Sequence, residues 1–298
     1  MLTFQAHAGA VHSVAFAPDG RHLATSCTNE PVRLWNLDGP TEAKQFPGSD
    51  FDTPLVFSPD GRFLARGGMD FALFAVESGK CVATGESGDA VAFAPDGKEV
   101  AAGVPLARWS LPKGKRLAGG WGEQRGRYAG VNSARAAGAL AYSPDGTTLA
   151  AAFVVYTGRR ESHPILLWSR KTGEEQGRLL ADFSRGDASY LTYSPDGAVI
   201  AGVYGAKVGV LDAATGATVA VLKAGAKHFK GIAFTPDGKR LIAVSHDAVA
   251  RVYDTATWAE ATGYEWAIGR LTAVAVAPDG LRAACGSDCG RVTVWDLE

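Results

Sequence analysis

Cysteine is nearly absent. Four residues, Cys27, Cys81, Cys285 and Cys289, in a chain of 298 cannot build the disulfide framework on which small secreted domains depend, and a chain this long does not need one. Cys285-x-x-x-Cys289 has no second Cys or His pair nearby to complete four zinc ligands, so the pair reads as buried, inert thiols and no metal is expected. An excess of charge of one sign is missing too. Thirty Lys and Arg against 31 Asp and Glu leave a net charge of −1, without the pull a strongly basic domain exerts on nucleic acid or anionic membrane. No run of 18 apolar residues occurs, which excludes an apolar membrane-spanning helix. The start, Met1-Leu2-Thr3-Phe4-Gln5-Ala6-His7, lacks a basic leader and a long apolar stretch. The expectation is a soluble, cytoplasmic protein in a reducing compartment. Also lacking are a phosphate-cradling Gly-Lys-Ser/Thr loop, His-Glu-x-x-His, a Gly-x-Ser-x-Gly elbow and a dinucleotide fingerprint. No cofactor is expected.

What the chain does have is apolar mass and repetition. With 46% hydrophobic and 20% charged residues, it buries a large core and is globular throughout. One tetrapeptide returns seven times, as Ala17-Pro18-Asp19-Gly20, Ser58-Pro59-Asp60-Gly61, Ala94-Pro95-Asp96-Gly97, Ser143-Pro144-Asp145-Gly146, Ser194-Pro195-Asp196-Gly197, Thr235-Pro236-Asp237-Gly238 and Ala277-Pro278-Asp279-Gly280. The prolines are 41, 36, 49, 51, 41 and 42 residues apart, the spacing of one four-stranded propeller blade per repeat. Pro, Asp and Gly in that order are turn residues: a preset φ, a carboxylate that bonds its own backbone, and a positive φ.

The flanks repeat with period two. A large residue, a small one and usually an aromatic precede each turn, as in Val14-Ala15-Phe16, Val91-Ala92-Phe93 and Ile232-Ala233-Phe234. This pattern suits a strand packed on both faces, with the small side chain where neighbouring blades converge. A second short apolar strand follows each turn, as in Leu23-Ala24, Leu149-Ala150 and Ile200-Ala201, so each turn closes a hairpin. A third strand ends at Leu34-Trp35-Asn36, Arg108-Trp109-Ser110, Leu167-Trp168-Ser169, Val210-Leu211-Asp212, Val252-Tyr253-Asp254 and Val294-Trp295-Asp296, with Phe74-Ala75-Val76 the degenerate copy.

On these residues the chain resembles the WD-repeat family over its whole length, although only Trp295-Asp296 keeps the name-giving dipeptide. The resemblance implies an all-β, seven-bladed closed β-propeller with four-stranded antiparallel blades, one domain over residues 1–298. Leu2-Thr3-Phe4-Gln5 precedes the first repeat by one strand, and the chain stops after the third strand of the seventh. The N-terminal strand is therefore expected to complete the last blade and remove the open edges. In the family a His before the first strand, a Ser in the second, an Asp in the next turn and the Trp form a hydrogen-bonded set. The resemblance places His7, Ser26, Asn29 and Trp35 in these positions in blade one. Blade six offers Ser245 and Asp247 with Tyr253 for Trp, and blade seven offers Ser287 and Trp295 with Cys289 in the Asp position. With so few sets retained, apolar packing and strand pairing are expected to hold the blades.

Departures from the mean spacing are where function is sought. Both long intervals involve blade four: residues 123–135 before its first strand and residues 157–164 between its second and third. Strand order puts both on the face opposite the Pro-Asp-Gly turns, with residues 183–187 leading into blade five. These loops supply Arg125, Arg127, Tyr128, Arg135, Arg159, Arg160, His163 and Arg185, rich in the Arg and aromatic types that dominate binding hot spots. The alternative is a solvated surface on which those arginines pair with Glu123, Glu161 and Asp187. Arg125-Gly126-Arg127 is one copy of an arginine-glycine segment, too little for RNA against a neutral chain. The expected role is a non-catalytic scaffold for protein or peptide partners, a monomeric propeller bound to neither membrane nor nucleic acid. The alternative is a propeller hydrolase or lactonase with a metal or substrate in the central funnel, for which Asp50, Asp52, Asp89 and Asp187 are the candidates beside the lone His12 and His228.

Overall fold

The computed structural model describes residues 1–48, 54–88, 90–103, 106–117, 133–157, 160–180, 188–223 and 227–297, and among these there is no helix. Seven antiparallel sheets succeed one another along the chain. Their first strands, Val11–Phe16, Leu55–Phe57, Val91–Phe93, Ser133–Tyr142, Tyr190–Tyr193, Phe229–Phe234 and Leu271–Val276, stand side by side in a closed ring, the seventh against the first. Each blade then steps outward, as in blade one through His22–Cys27, Val32–Asn36 and Thr41–Phe46. Blade seven takes its fourth strand from the other end of the chain. Leu2–Gln5 pairs antiparallel with Arg291–Asp296, Leu2 opposite Val294 and Gln5 opposite Arg291. The edge that a linear stack would leave open is thereby paired.

The alternating pattern of the strands explains where the core sits. A blade in a propeller has a neighbour on both faces, so its middle strands are buried on both: Phe63–Arg66 and Glu99–Ala102 are buried at every position, their charged ends Arg66 and Glu99 included. The core is accordingly seven layers, one per interface. Ala24, Leu34 and Phe46 of blade one meet Leu55, Leu64 and Phe74 of blade two. At the closing interface Val292 and Val294 of blade seven meet Val14, Leu23 and Trp35 of blade one. Phe4, on the borrowed strand, has its ring 5.0 Å from that of Trp35.

The Pro-Asp-Gly turns form a collar on one face. In each the glycine N–H donates to the carbonyl three residues back, as Gly61 to Ser58 at 2.9 Å, and the seven glycines have φ of 66–75°, a region that penalises any side chain. Six of them also sit in contact with the neighbouring turn. A Cβ on Gly61, Gly97, Gly146, Gly197, Gly238 or Gly280 would lie 3.3–3.8 Å from Cδ of the proline one repeat earlier. Arg282 of blade seven closes the collar by donating to the Gly20 carbonyl at 2.7 Å.

Blades three and four share a buried ionic clasp as well. Tyr142 donates to Glu99 Oε1 at 2.8 Å, Arg170 Nε lies 3.1 Å from the same oxygen, and Arg108 Nη1 lies 3.5 Å from Oε2. Arg170 also holds Asp96 at 2.9 Å. Burial first, then the Glu99 charge, pushes the Tyr142 hydroxyl well above the ordinary tyrosine value.

Glu99→Gln leaves two guanidinium groups without their shared carboxylate; the expected loss is about 3 kcal/mol of stability, read from the shift in urea midpoint. Phe4→Ala, at a half-buried site, is expected to cost about 1–2 kcal/mol. Deletion of residues 2–5 is expected to cost more and to open Arg291–Asp296 to limited proteolysis.

Candidate interaction surface

Blade four is the irregular blade, and its irregularity is a projecting ribbon. Its second strand, Thr148–Thr157, has ten residues where those of the other blades have four to six. The extra length is paired on both sides. Ser133, Ala134 and Arg135 oppose Tyr156, Val155 and Val154, and Thr157, Tyr156 and Val155 oppose Arg160, Glu161 and Ser162. A break in register between Arg135 and Ala139 separates the ribbon from the blade proper, as a bulge does where a strand must bend. At about 3.3 Å per residue the ribbon rises roughly 13 Å beyond the blade, on the face opposite the collar.

Two of the arginines expected in loops therefore lie in strands: Arg135 in Ser133–Tyr142 and Arg160 in Arg160–Ser162. The local sequence, Phe153-Val154-Val155-Tyr156-Thr157, is β-branched and aromatic, and such residues extend a strand wherever a partner is offered. His163 is half-buried at the junction between the ribbon and the third strand, Ile165–Ser169. Arg125, Arg127, Tyr128, Arg159 and Arg185 lie outside the described residues, as do the funnel candidates Asp50, Asp52, Asp89 and Asp187. His12 bonds Thr28 Oγ1 through Nε2 at 2.9 Å, and His228 is exposed.

Among the described residues, one set of metal-type donors converges: His7, Cys27 and Glu30, whose ligand atoms lie within 4.8 Å of one another. Their donors are already engaged. His7 Nδ1 is 3.0 Å from Glu30 Oε2, and His7 Nε2 is 2.8 Å from Thr25 Oγ1, which also accepts from Trp35 Nε1 at 2.9 Å. Burial, first among the causes, lowers the His7 pKa, so the ring is neutral. A carboxylate only accepts, so the proton sits on Nδ1 and points at Glu30. The bonds then run one way, Trp35 N–H to Thr25, Thr25 O–H to His7, and His7 N–H to Glu30. Glu30 also accepts from the N–H groups of Ala8 and Gly9 and from Arg33. Burial opposes its charge, but the bonds from His7, Gly9 and Ala8 outweigh it and hold Glu30 down to about 2. Cys27 is pushed up to about 11, by burial and then by the Glu30 charge. A protonated thiol, a saturated carboxylate and an adjacent guanidinium do not suit a cation. The set is a structural lock for blade one.

That lock corrects the assignment of its members. The hydroxyl is that of Thr25, fully buried, and the carboxylate is that of Glu30; Ser26 and Asn29, each one position away, are not the links. In a strand a shift of one residue reverses the face, and only Thr25 faces the layer that holds Trp35. In blade six Ser245 bonds Asp247 and Arg251 reaches Asp247 at 2.6 Å, but Ser245, like Ser287 in blade seven, lies two residues beyond the Thr25 position, which Ala243 and Cys285 occupy. In blade seven Cys289 does take the Asp position, 3.3 Å from Ser287 Oγ.

The remaining lowered carboxylates are engaged in turns, six in the collar, Asp212 and Asp254 with Thr215 and Thr257, and Asp247 with Arg251 and Ser245. Asp145, Asp196 and Asp237 are lowered first by the hydroxyls of Ser143, Ser194 and Thr235, two residues earlier in the same turns. Lowered acids of this kind do not serve as general acids at neutral pH.

The pH dependence follows from the blade-one lock. The unfolded chain binds protons on His7 below its ordinary 6.5 and on Glu30 below 4.5, while the folded chain resists both. Stability is therefore complete above about 6.5 and falls as pH drops, Glu30 contributing roughly 3 kcal/mol that is lost between about 4.5 and 2. Thr25→Val should lower the melting temperature but keep its acid dependence above pH 4.5, because burial, the first cause of the lowered His7 pKa, is retained. Melting curves of both proteins across pH 3–8 check this.

The WD domain, G-beta repeat family model matches residues 1–36, 216–254 and 265–296, covering blades one, six and seven with the borrowed strand. No curated protein matches the chain. The matched blades are those that keep parts of the polar set, and the four between them share the same strand order, turn collar and inter-blade layers. The chain is a seven-bladed β-propeller in which three regions match the WD-repeat model, while the blades between them keep the same plan without a match.

Proposed function

We propose that the protein is a non-catalytic scaffold that binds protein segments on the face opposite the turn collar, with the blade-four ribbon as its principal contact. The ribbon carries this reading. It adds nothing to the closure of the ring, yet extra residues build a paired, stiff projection from it, and a preorganised projection loses little entropy on binding. WD-repeat propellers generally act as interaction platforms, and that role fits a fold whose polar groups are largely committed to its own turns and locks. Residues 123–135 and 157–164 bring Arg125, Arg127, Arg159 and Arg160 into the segments that flank or form the ribbon. Arginine at such a site offers both area and directional bonds to a partner carboxylate or carbonyl.

The test compares proteins recovered from a native lysate by wild type and by a variant with Arg125→Glu, Arg127→Glu, Arg159→Glu and Arg160→Glu, after melting curves show that both fold alike. A partner lost by the variant, with affinity weakened about tenfold or more on purified components, supports the ribbon as the docking element. The same partners at the same affinity would remove the ribbon from that role.

A further inference from the structure

A second charged region lies on the same face, above blades five to seven, and none of the sequence motifs points to it. The arginines elsewhere on the molecule mostly face carboxylates: Arg33, Arg62, Arg66, Arg170 and Arg251 each lie within 3.1 Å of one. Lys223, Lys227, Lys230 and Arg270 make no ion pair with any described residue. Lys223, Lys227 and Arg270 are exposed and Lys230 is half-exposed, alongside exposed His228 and half-buried His246. Three described carboxylates lie near them: Asp288 accepts from the backbone N–H of Arg270 at 2.9 Å, Asp247 is held by Ser245 and Arg251, and Glu265 is exposed beside Trp266.

These side chains stand on loops whose backbones are tied together. Phe229 N–H donates to the Gly205 carbonyl of blade five at 2.8 Å, and His246 N–H donates to His228 at 3.1 Å across the top of blade six. In blade seven Asp288 N–H returns a bond to the Arg270 carbonyl at 2.9 Å. The electrostatics agree that the groups share one region: burial, then the charges of Lys230 and Arg270, lower the His246 pKa, with Asp288 opposing. The Arg270 loop also presents an aromatic step. Trp266 is half-buried, parallel to Tyr264 at 5.8 Å and 4.6 Å from Trp295 between ring centres.

We propose that this surface, built from Lys227, Lys230, His246 and Arg270 with Trp266 at its rim, docks an acidic protein segment that carries an apolar or aromatic residue. The proposal rests on the scaffold reading and gives it a partner chemistry at a site separate from the blade-four ribbon. Cations that make no ion pair with a described residue gain carboxylate contacts at little cost, and they steer a negatively charged segment before contact. The part of Trp266 left open by its packing on Tyr264 and Trp295 then supplies area that charge alone does not.

The probe is a fluorescein-labelled peptide rich in Glu and Asp with a central Leu-Trp pair, titrated by anisotropy at low and physiological salt. Wild type is expected to bind with an affinity that falls as salt rises. Lys230→Glu with Arg270→Glu should weaken binding about tenfold or more, and the fully exposed pair Lys223→Glu with Lys227→Glu should weaken it in the same direction without touching the packed loops. Arg62→Glu with Lys98→Glu, on the collar face, should leave it unchanged. No binding at low salt, equal loss in the collar-face variant, or tighter binding of a single-stranded RNA oligonucleotide than of the peptide overturns the proposal. If the peptide fails while a lysate partner still depends on the blade-four arginines, this surface is excluded and the scaffold reading survives; if both fail, the scaffold reading falls with it.

Discussion

Every blade of this protein has two apolar faces, and that constraint governs the rest of the molecule. A four-stranded sheet exposed on one side would leave an entire layer such as Leu55, Leu64 and Phe74 in water, so no blade satisfies itself and no open stack satisfies its ends. Closing the ring converts fourteen faces into seven buried layers. The borrowed strand Leu2–Gln5 is the device by which closure is made a matter of hydrogen bonds as well as of packing.

Within that ring polar groups are used sparingly and locally. Blade one carries the full chain from Trp35 through Thr25 and His7 to Glu30. In blade seven Cys285 stands where register would place the hydroxyl, and the buried Trp295 N–H has no hydrogen-bond partner among the described residues. An unpaired indole N–H of this kind costs stability, and the stacked Tyr264 and Trp266 rings beside it add apolar contact to offset that cost. Between blades three and four the lock is replaced by Glu99 with Arg108 and Arg170. Different interfaces thus reach cohesion by different chemistry on one backbone plan.

The fold was legible because turns are read by residue type. Seven Pro-Asp-Gly turns need a particular φ at a particular place, and few other residues supply it. The candidate site was legible only in part. Irregular spacing located blade four, but whether residues 133–135 and 160–162 were loop or strand depended on a partner strand that no local pattern specifies. The choice of Thr25 over Ser26, and of Glu30 over Asn29, turned on a register of one residue, which two adjacent hydroxyl residues do not disclose. The basic region above blades five to seven escaped because its members come from separate repeats and form no charge run in the sequence.

The pairing of residues 2–5 with 291–294 has a temporal side. During synthesis the first strand emerges almost a full chain length before its partner does. Until residues 291–296 have been made, blade one presents this layer, including Trp35, without the blade that covers it. Nascent chains of this protein therefore pass through a long interval with an adhesive face on blade one, best shielded by chaperones until blade seven arrives.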